Sequence, residues 1–560
     1  MAAGDQMRLC MAVLFLGFFL VFSTAAQELK GRYQGLAVDQ KPDGSRGVQV
    51  QLFMIFRIEG QKVVCSGSTE SFDGQVPCKN VVIDGASVRF EMPFGGGVLF
   101  ELKEFENWTL LDGTLRAMPG VPSPPFNTIE LKRVGDLALT DRSPRLEWES
   151  SDRSPVILQL RKSIADGGQV MAVADFWKNV EKSGTPLIEA VPGSNRSVLA
   201  TFVWKGKPAT KNVFLLWPRL SYAHPDDYFF SHIPGTDIWF KTIKLRSDMR
   251  IYYQISPDDP LGERPEGQWT RNAQADPLNP KRDNNDASAA PEQVRSLLEM
   301  PDVRSEPWYI KRPDVARYSS SELEIQSAKL KSKRKVKVYL PPGFSAQQRP
   351  YPSIYLTDGE DSDGLVFATW TFENLLADRK IPATVVVRIV NPDQETRNRE
   401  LACDDTFADY LSEELVPFIQ ANFNTSREPS KTAIGGYSLG GLAASYAAFR
   451  HPNAFGMVLS QSGSYWFEPS HKEFAEPNWL ARQFAEYEKL PLRFYLDAGS
   501  NELDLRGDGS GILVPNRQFR DVLKAKGYEV LYDEFAGDHD YINWRGTLAD
   551  GLIYLFDGVR

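Results

Sequence analysis

The chain has 560 residues, too many for one domain of roughly 100–200 residues, so we expect about three units. Apolar residues make up 42% of the chain, which is enough to form packed cores. The formal net charge of −9 argues against nucleic acid as a partner, because nucleic-acid-binding proteins usually present a basic face.

Residues 1–26 have the pattern of a secretory signal peptide. Arg8 precedes an apolar run over Leu14–Phe22, and small residues then offer a cleavage site after Ala25 or Ala26. The run is shorter than the ~20 residues of a membrane span, and no later run is longer. We therefore predict export to the periplasm or the extracellular space, with an uncleaved membrane anchor as the alternative.

Three cysteines follow the leader. Cys65 and Cys78 flank a turn-rich stretch, and an exported protein can form a disulfide, so we predict that these two are bridged. Cys403 is then left over, and we expect it to be a buried, unreactive thiol.

The first half of the chain is mostly β-rich. Runs separated by Gly, Pro and Asp in residues 27–136 predict a small barrel or sandwich of unknown role. Residues 137–175 are predicted to be a linker. A second β-rich block, residues 176–260, has the length and strand spacing of an immunoglobulin-like sandwich. Residues 261–313, rich in Pro, Asn, Asp and Arg, are predicted to form an extended connection.

Residues 314–560 have a different pattern, in which strand-like runs alternate with helical stretches. This alternation is typical of a parallel sheet with helices on both faces. Within it, the segment Gly-Tyr-Ser438-Leu-Gly follows a short strand and precedes a helix, which is the setting of a nucleophile elbow. Gly436 and Gly440 leave room in the tight turn. We predict an α/β-hydrolase domain with Ser438 as the nucleophile; the alternative is a structural turn that needs glycine.

A serine nucleophile needs a general base, and the chain has only five histidines. In an α/β-hydrolase the chain order is serine, acid, histidine, which eliminates the two histidines that precede Ser438. His451 directly follows the elbow helix, and His471 lies in a polar insertion. His539 lies in a loop between a late strand and the last helix, where this fold places the base, so we predict that His539 is the base.

The acid is expected after the strand that follows the elbow unit. That stretch contains Asp497, Glu502 and Asp504. Asp497 is expected to lie within the strand itself. Glu502 lies in the following loop, where a carboxylate can orient the imidazole and stabilise its protonated form, so we prefer it, with Asp504 as the alternative.

The oxyanion hole needs two N–H groups. One is predicted from Leu439, the residue after the nucleophile, and the other from the loop near Gly359 and Glu360. The His-Gly-Gly-Gly string of lipases is absent. We predict no metal ligands and no cofactor, and no sequence feature indicates an oligomeric state.

A loop with two arginines follows the strand that ends near Val390. Loops at the carboxyl ends of parallel strands line the ligand crevice, so this loop is expected to face Ser438. Arg397 and Arg399 are its cations. Each could instead pair with a carboxylate, and for Arg399 we favour that interpretation.

Several motifs, in this order along the chain, resemble the enterobactin (enterochelin) esterases, which are esterase-D-like α/β-hydrolases. The motifs are IPGTDIWFKTIKL, ADPLNP, LTDGE, RELACDDTF, GGYSLGGLAA, LSQSGSYWF and GDHDYINWRGTLADGLI. The resemblance extends from about Phe176 to the C-terminus.

The resemblance implies hydrolysis of the trilactone of ferric catecholate siderophores, with release of iron. It implies Ser438, His539 and Glu502 as catalytic residues, and it matches Arg397 to an arginine of the substrate site. We also assign substrate contacts to two aromatic residues within these motifs, Tyr437 and Trp466.

These observations favour an exported serine esterase that acts on a small-molecule ester. A carbohydrate-ester hydrolase, such as a feruloyl or acetyl esterase, is the alternative enzyme, since a sandwich domain can bind glycans. A non-catalytic ligand-binding protein is the alternative from another class, but the presence of a serine, a histidine and an acid in order argues against it.

Overall fold

The computed structural model describes residues 28–41, 46–59, 62–69, 76–92, 97–105, 107–118, 126–135, 154–217, 228–259, 272–283, 291–359, 369–469, 472, 475–503 and 511–559. The predicted signal peptide lies outside these residues. The chain divides into two compact units. One comprises residues 1–185, 201–242 and 253–296, and the other comprises residues 186–200, 243–252 and 297–560.

The N-terminal region forms one antiparallel sheet in the order β4-β3-β2-β1-β9-β8-β7-β6-β5. Its strands are β1 (Gly31–Gln40), β2 (Arg46–Glu59), β3 (Lys62–Thr69), β4 (Val76–Pro77), β5 (Lys79–Asp84), β6 (Ser87–Met92), β7 (Val98–Phe105), β8 (Leu110–Ala117) and β9 (Thr128–Gly135).

The nine strands enclose a single apolar core. Alternate residues of β6, namely Val88, Phe90 and Met92, are buried in it, which is the period of two expected when one sheet face is covered. A disulfide joins Cys65 of β3 to Cys78, which directly follows β4, the neighbour of β3. Buried residues of β1 to β3 and of β5 to β9 belong to one apolar core.

Two helices follow, α1 (Pro155–Ser163) and α2 (Gln169–Ser183). Helix α1 and the start of α2 lie within the segment predicted as linker 137–175. Ser and Pro are common in turns, but here the Ser154-Pro155 pair begins the helix. Ser154 Oγ accepts from the N–H of Ile157 at 3.3 Å, and proline occupies the first turn, where it lacks only an N–H that has no helical partner.

Two small sheets form the next part, in the orders β10-β11-β14-β13 and β12-β15-β16. Their strands are β10 (Leu187–Ala190), β11 (Ser197–Lys205), β12 (Val213–Leu216), β13 (Ser231–His232), β14 (Ile238–Arg246), β15 (Arg250–Pro257) and β16 (Ser296–Glu299). Strand β16 lies within the segment predicted as the extended connection 261–313.

The C-terminal sheet has the order β17-β18-β20-β19-β21-β22-β23-β24. Its strands are β17 (Ser319–Ser327), β18 (Ser332–Leu340), β19 (Ser353–Leu356), β20 (Val385–Ile389), β21 (Thr432–Tyr437), β22 (Met457–Gln461), β23 (Arg493–Gly499) and β24 (Glu529–Phe535). Strand β18 is antiparallel to both of its neighbours, and every pairing from β20 to β24 is parallel. The predicted mostly parallel sheet is therefore present.

Helices accompany this sheet. They are α3 (Thr369–Ala377), α4 (Gln394–Glu400), α5 (Asp405–Tyr410), α6 (Val416–Phe423), α7 (Leu439–Arg450), α8 (Trp479–Glu486), α9 (Leu513–Ala525) and α10 (Tyr541–Phe556). Both sheet faces are covered: Tyr355 and Val387 pack into one apolar core, whereas their chain neighbours Ile354 and Val386 pack into another. Burial on both faces explains why these strands are apolar throughout.

Candidate active site

Three loops at the carboxyl ends of parallel strands carry the predicted triad. Ser438 follows β21, Glu502 follows β23 and His539 follows β24. Because parallel strands all end at the same edge of the sheet, residues far apart in the chain meet there.

Ser438 lies in a strained turn between β21 and α7. Its φ of 57° and ψ of −124° are unusual for a residue with a side chain. The turn is tight: a Cβ on Gly436 or Gly440 would lie 2.1 or 2.2 Å from the hydroxyl oxygen of Thr357. Glycine is therefore required at both positions. The Ser438 N–H donates to the carbonyl of Gln461 at 2.9 Å, which fixes the backbone of the turn.

The side chains of Ser438, His539 and Glu502 form a continuous hydrogen-bonded chain. His539 Nε2 lies 3.0 Å from Ser438 Oγ, and His539 Nδ1 lies 2.7 Å from Glu502 Oε1. The Glu502 carboxylate is fully buried, and the imidazole is 10% exposed. With a proton on Nδ1, directed to the carboxylate, Nε2 is a free base facing the hydroxyl.

Glu502 is held in place by the loop that contains it. Its second carboxylate oxygen accepts from the N–H of Gly499 at 2.8 Å, and its carbonyl accepts from Ile512 and Leu513 at 3.0 and 2.9 Å. The alternative acid, Asp504, lies outside the described residues. The described contacts bring Glu502 to the imidazole.

Asp497 lies within β23, as the sequence predicts. It is not a member of the hydrogen-bonded chain formed by Ser438, His539 and Glu502. It is fully buried, and Oδ1 accepts from the N–H of Ser462 at 2.9 Å. Burial raises the pKa of the Asp497 carboxyl well above its usual range.

The other described histidines make different contacts. His232 Nε2 lies 2.8 Å from the carbonyl of Thr236, and His451 Nε2 lies 2.8 Å from Asp409 Oδ1. His224 and His471 lie outside the described residues.

The predicted oxyanion donors differ in whether their N–H groups already have an acceptor. Leu439 begins α7, so its N–H is among the first four of the helix, which have no acceptor within the helix. Gly359 does not fit its predicted role, because its N–H donates to the carbonyl of Ile389 at 2.7 Å. Glu360 lies outside the described residues.

Tyr437 and Trp466 were both predicted to contact substrate. Tyr437 is 8% exposed and its ring stacks on that of Trp544, with centroids 4.6 Å apart, so packing covers one face of this ring. Trp466 is half-buried and packs beside Ile512 and Leu513, next to the loop that carries Glu502.

Two residues that were given no role in the sequence analysis contact the triad. Ser464 Oγ lies 3.4 Å from Ser438 Oγ, and the Ser464 N–H donates to the Ser438 carbonyl at 3.0 Å. The Trp544 ring meets the His539 ring edge to face, with centroids 4.7 Å apart, and its Nε1 donates to Ser462 Oγ at 2.8 Å. Both lie in motifs that carry the family resemblance, which was the available signal.

Arg397 pairs with Asp358, a residue of the loop after β19. Its guanidinium donates from Nε and Nη2 to the two carboxylate oxygens. Arg399, by contrast, is largely exposed and lies 3.5 Å from Glu400. The carboxylate alternative therefore describes both arginines, although both partners, Asp358 and Glu400, are buried rather than at the surface.

Among the described residues, one group of three could supply metal ligands, namely Asp409, Glu413 and His451. The ammonium of Lys329 lies 2.8 Å from Glu413 and 3.8 Å from Asp409. A protein cation therefore already balances these carboxylates. Within the part of the chain that the structure describes, no helix combines the length and apolar character required to cross a bilayer.

Comparison with known proteins agrees with this architecture. Residues 327–555 match the family described as "Putative esterase", and residues 199–309 match "Enterochelin esterase, N-terminal". The iron(III) enterobactin esterase of Dickeya dadantii is 30% identical over 424 residues, which cover 68% of this chain and 93% of that protein. The iron(III) salmochelin esterase of Escherichia coli is 27% identical, covering 71% of this chain and 96% of that protein.

A solved structure shows similarity to the same kind of enzyme. The enterobactin esterase of Shigella flexneri, crystallised in the presence of enterobactin, has a TM-score of 0.54 and 25% identity, and covers 69% of this chain and 98% of that one. The C-terminal region is thus that of an esterase. More specifically, the chain belongs to the family of iron(III) enterobactin esterases.

Proposed function

We propose that this protein is a serine esterase that hydrolyses the ester bonds of a ferric catecholate siderophore of the enterobactin type. The observation that carries the reaction is the chain of contacts from Ser438 Oγ through His539 to the buried Glu502 carboxylate. The names of the relatives, which are enterobactin and salmochelin esterases, support the substrate class.

We propose an α/β-hydrolase fold for the C-terminal sheet. Support comes from the strand–turn–helix setting of Ser438 and from the chain order of nucleophile, acid and base. We also propose an immunoglobulin-like sandwich for strands β10 to β16, supported by one sheet of four strands and one of three.

The proposed reaction has two halves. Ser438 Oγ attacks the ester carbonyl while His539 Nε2 accepts its proton, and Glu502 stabilises the resulting imidazolium. His539 then returns the proton to the leaving alcohol, which leaves an acyl group on Ser438. In the second half, His539 takes a proton from water while the water oxygen attacks the acyl carbonyl. His539 then returns that proton to Ser438 Oγ as the bond to Ser438 breaks and the acid leaves.

The negative oxygen of each tetrahedral intermediate needs donors. Leu439 offers an N–H at the start of α7, where the helix dipole also favours negative charge. This position directly follows the nucleophile, so the donor and the reacting carbonyl are held by the same turn.

The test is turnover of three substrates by the wild type and by Ser438→Ala: ferric enterobactin, a feruloyl ester and a neutral p-nitrophenyl ester. We expect the wild type to cleave ferric enterobactin with the highest kcat/KM and Ser438→Ala to lose roughly 10⁴–10⁶ in kcat. Preference for the feruloyl ester would move the assignment to a carbohydrate-ester hydrolase. Tight binding of ferric enterobactin without turnover would indicate a binding protein.

We further propose that the protein is exported. The leader pattern in residues 1–26 supports export, as does the disulfide between Cys65 and Cys78, because disulfides persist in oxidising compartments. The intact mass of protein recovered outside the cytoplasm should correspond to a start near Ala26 or Gln27. A full-length mass would contradict cleavage of the leader.

A further inference from the structure

Arg397 and Asp358 form a buried ion pair. Besides the two hydrogen bonds from the guanidinium, the Asp358 carboxylate accepts one from Asn391 Nδ2 at 3.0 Å. The Asp358 side chain is 1% exposed and that of Arg397 is 16% exposed. A buried carboxylate is costly unless it is paired and hydrogen-bonded, and Arg397 supplies Asp358 with both an opposite charge and two hydrogen bonds.

Asp358 lies against the first turn of the nucleophile helix. A Cβ on Gly440 would lie 2.9 Å from Asp358 Oδ2, so the carboxylate touches the residue that follows Leu439. Asp358 has a φ of 57°, which a residue with a side chain adopts only at a cost. The neighbouring Thr357 is tied to β21, since its N–H donates to the carbonyl of Gly435 at 3.0 Å.

The charge of this carboxylate matters because the oxyanion of the reaction would form at the same end of α7. An unpaired negative charge there would repel the oxyanion and oppose the favourable field of the helix N-terminus. With Arg397 in place the pair is neutral, and the bidentate contact fixes the loop after β19 to α4, the helix that carries Arg397.

We propose that Arg397 is a positioning residue, which neutralises Asp358 and anchors this loop, beside the first turn of the nucleophile helix, to α4, rather than a residue that recognises the charge of the substrate. The proposal rests on the proposed esterase activity but not on the siderophore as substrate. It is an alternative to the substrate-site role that the family resemblance implies for Arg397, and its basis is that two of the guanidinium N–H donors are directed to Asp358.

The test compares Arg397→Gln, Asp358→Asn and the double variant with Arg399→Gln as the matched control. Arg399 is on the same helix, and its side chain is 59% exposed. Each protein is assayed on ferric enterobactin and on a neutral p-nitrophenyl ester, and the rate of labelling by a fluorophosphonate is measured. Circular dichroism and thermal melting establish that each variant is folded.

We expect Arg397→Gln to lower kcat by roughly 10- to 100-fold on both esters, with KM changed little, since the loss of stabilisation falls on the oxyanion. Its labelling rate should fall by a similar factor. Adding Asp358→Asn removes the unpaired charge, so the double variant should regain at least about half of that loss on a logarithmic scale. Arg399→Gln should match the wild type.

A loss confined to ferric enterobactin and expressed in KM would overturn the proposal and return Arg397 to charge recognition. A double variant no faster than Arg397→Gln would also overturn it. If the wild type cleaves the neutral ester but not ferric enterobactin, the siderophore function fails while the neutral-ester comparison still decides the role of Arg397. A wild type that neither cleaves an ester nor takes the label would contradict both.

Discussion

Replacing Glu502 by glutamine tests the acid of the triad with little change of shape. The substitution removes the negative charge that lies beside His539 Nδ1 at 2.7 Å. The glutamine can present its amide N–H₂ to Nδ1, which favours the tautomer with the proton on Nε2. That tautomer cannot accept the proton of Ser438.

The size of the effect follows from the burial of the pair. Glu502 is fully buried, and two unit charges about 4 Å apart attract by ~4 kcal/mol at an effective dielectric constant near 20. Since the imidazolium forms only during the reaction, this loss falls on the transition state, and ~1.4 kcal/mol corresponds to one decade in rate. We therefore expect kcat to fall by roughly 10³, and by about 10⁴ if the wrong tautomer dominates.

The assay is the kcat of Glu502→Gln on a neutral p-nitrophenyl ester, with KM and the melting temperature measured in parallel. Asp504→Asn is the comparison variant, because Asp504 is the alternative acid, and we expect it to retain kcat within about threefold. A folded Glu502→Gln variant that keeps more than about a tenth of the wild-type kcat would refute the reasoning. So would an equal loss in Asp504→Asn.

Three further predictions concern packing, the disulfide and a buried acid. Gly440→Ala should lower kcat and destabilise the fold by about 1–3 kcal/mol in denaturant unfolding, because the alanine Cβ would lie 2.2 Å from Thr357 Oγ1. An unchanged kcat and an unchanged free energy of unfolding would contradict the tight packing of this turn. Replacing Cys65 and Cys78 by alanine should lower the free energy of unfolding of the N-terminal sheet by about 2–4 kcal/mol and leave kcat unchanged. A large loss of kcat would contradict the expectation that the disulfide acts on stability alone. Asp497→Asn should gain stability relative to the wild type as pH rises, by up to about 1.4 kcal/mol per pH unit. The raised pKa means that the fold favours protonated Asp497, so the stability that Asp497 contributes is complete at low pH and is lost as pH increases. A difference in melting temperature between Asp497→Asn and the wild type that stays flat from about pH 5 to pH 9 would contradict this prediction.

The triad could be predicted because each of its members leaves a local signal. Ser438 lies between glycines at a strand–helix junction, and His539 lies in a late loop between a strand and the last helix. Glu502 follows a strand whose apolar residues make it easy to recognise. These are short-range patterns, and the order of the strands in the sheet then brings them together.

The remaining features depend on contacts that local patterns do not encode. Asp358 and Arg397 are 39 residues apart, and nothing in either segment indicates that their side chains meet. The direction of the Gly359 N–H depends on backbone dihedral angles, so the sequence could not indicate that Ile389 accepts its hydrogen bond.

Two elements of the fold leave weak signals in the sequence. Strand β17 is largely exposed at the edge of its sheet and has only two apolar residues, Leu323 and Ile325, which is too short an alternation to mark a strand. Helix α1 follows a Ser-Pro pair whose residue types suit both a turn and the start of a helix. Packing of Ile157 and Leu160 decides between them.

The central claim is that Ser438 is the nucleophile of a working triad. Peptide mapping by mass spectrometry after reaction with a fluorophosphonate tests it most directly, with His539→Ala as the matched control. We predict one adduct per chain, located on Ser438, with loss of ester turnover in proportion to labelling and with strongly slowed labelling in His539→Ala. An adduct on another residue, or undiminished ester turnover in fully labelled protein, would contradict the claim.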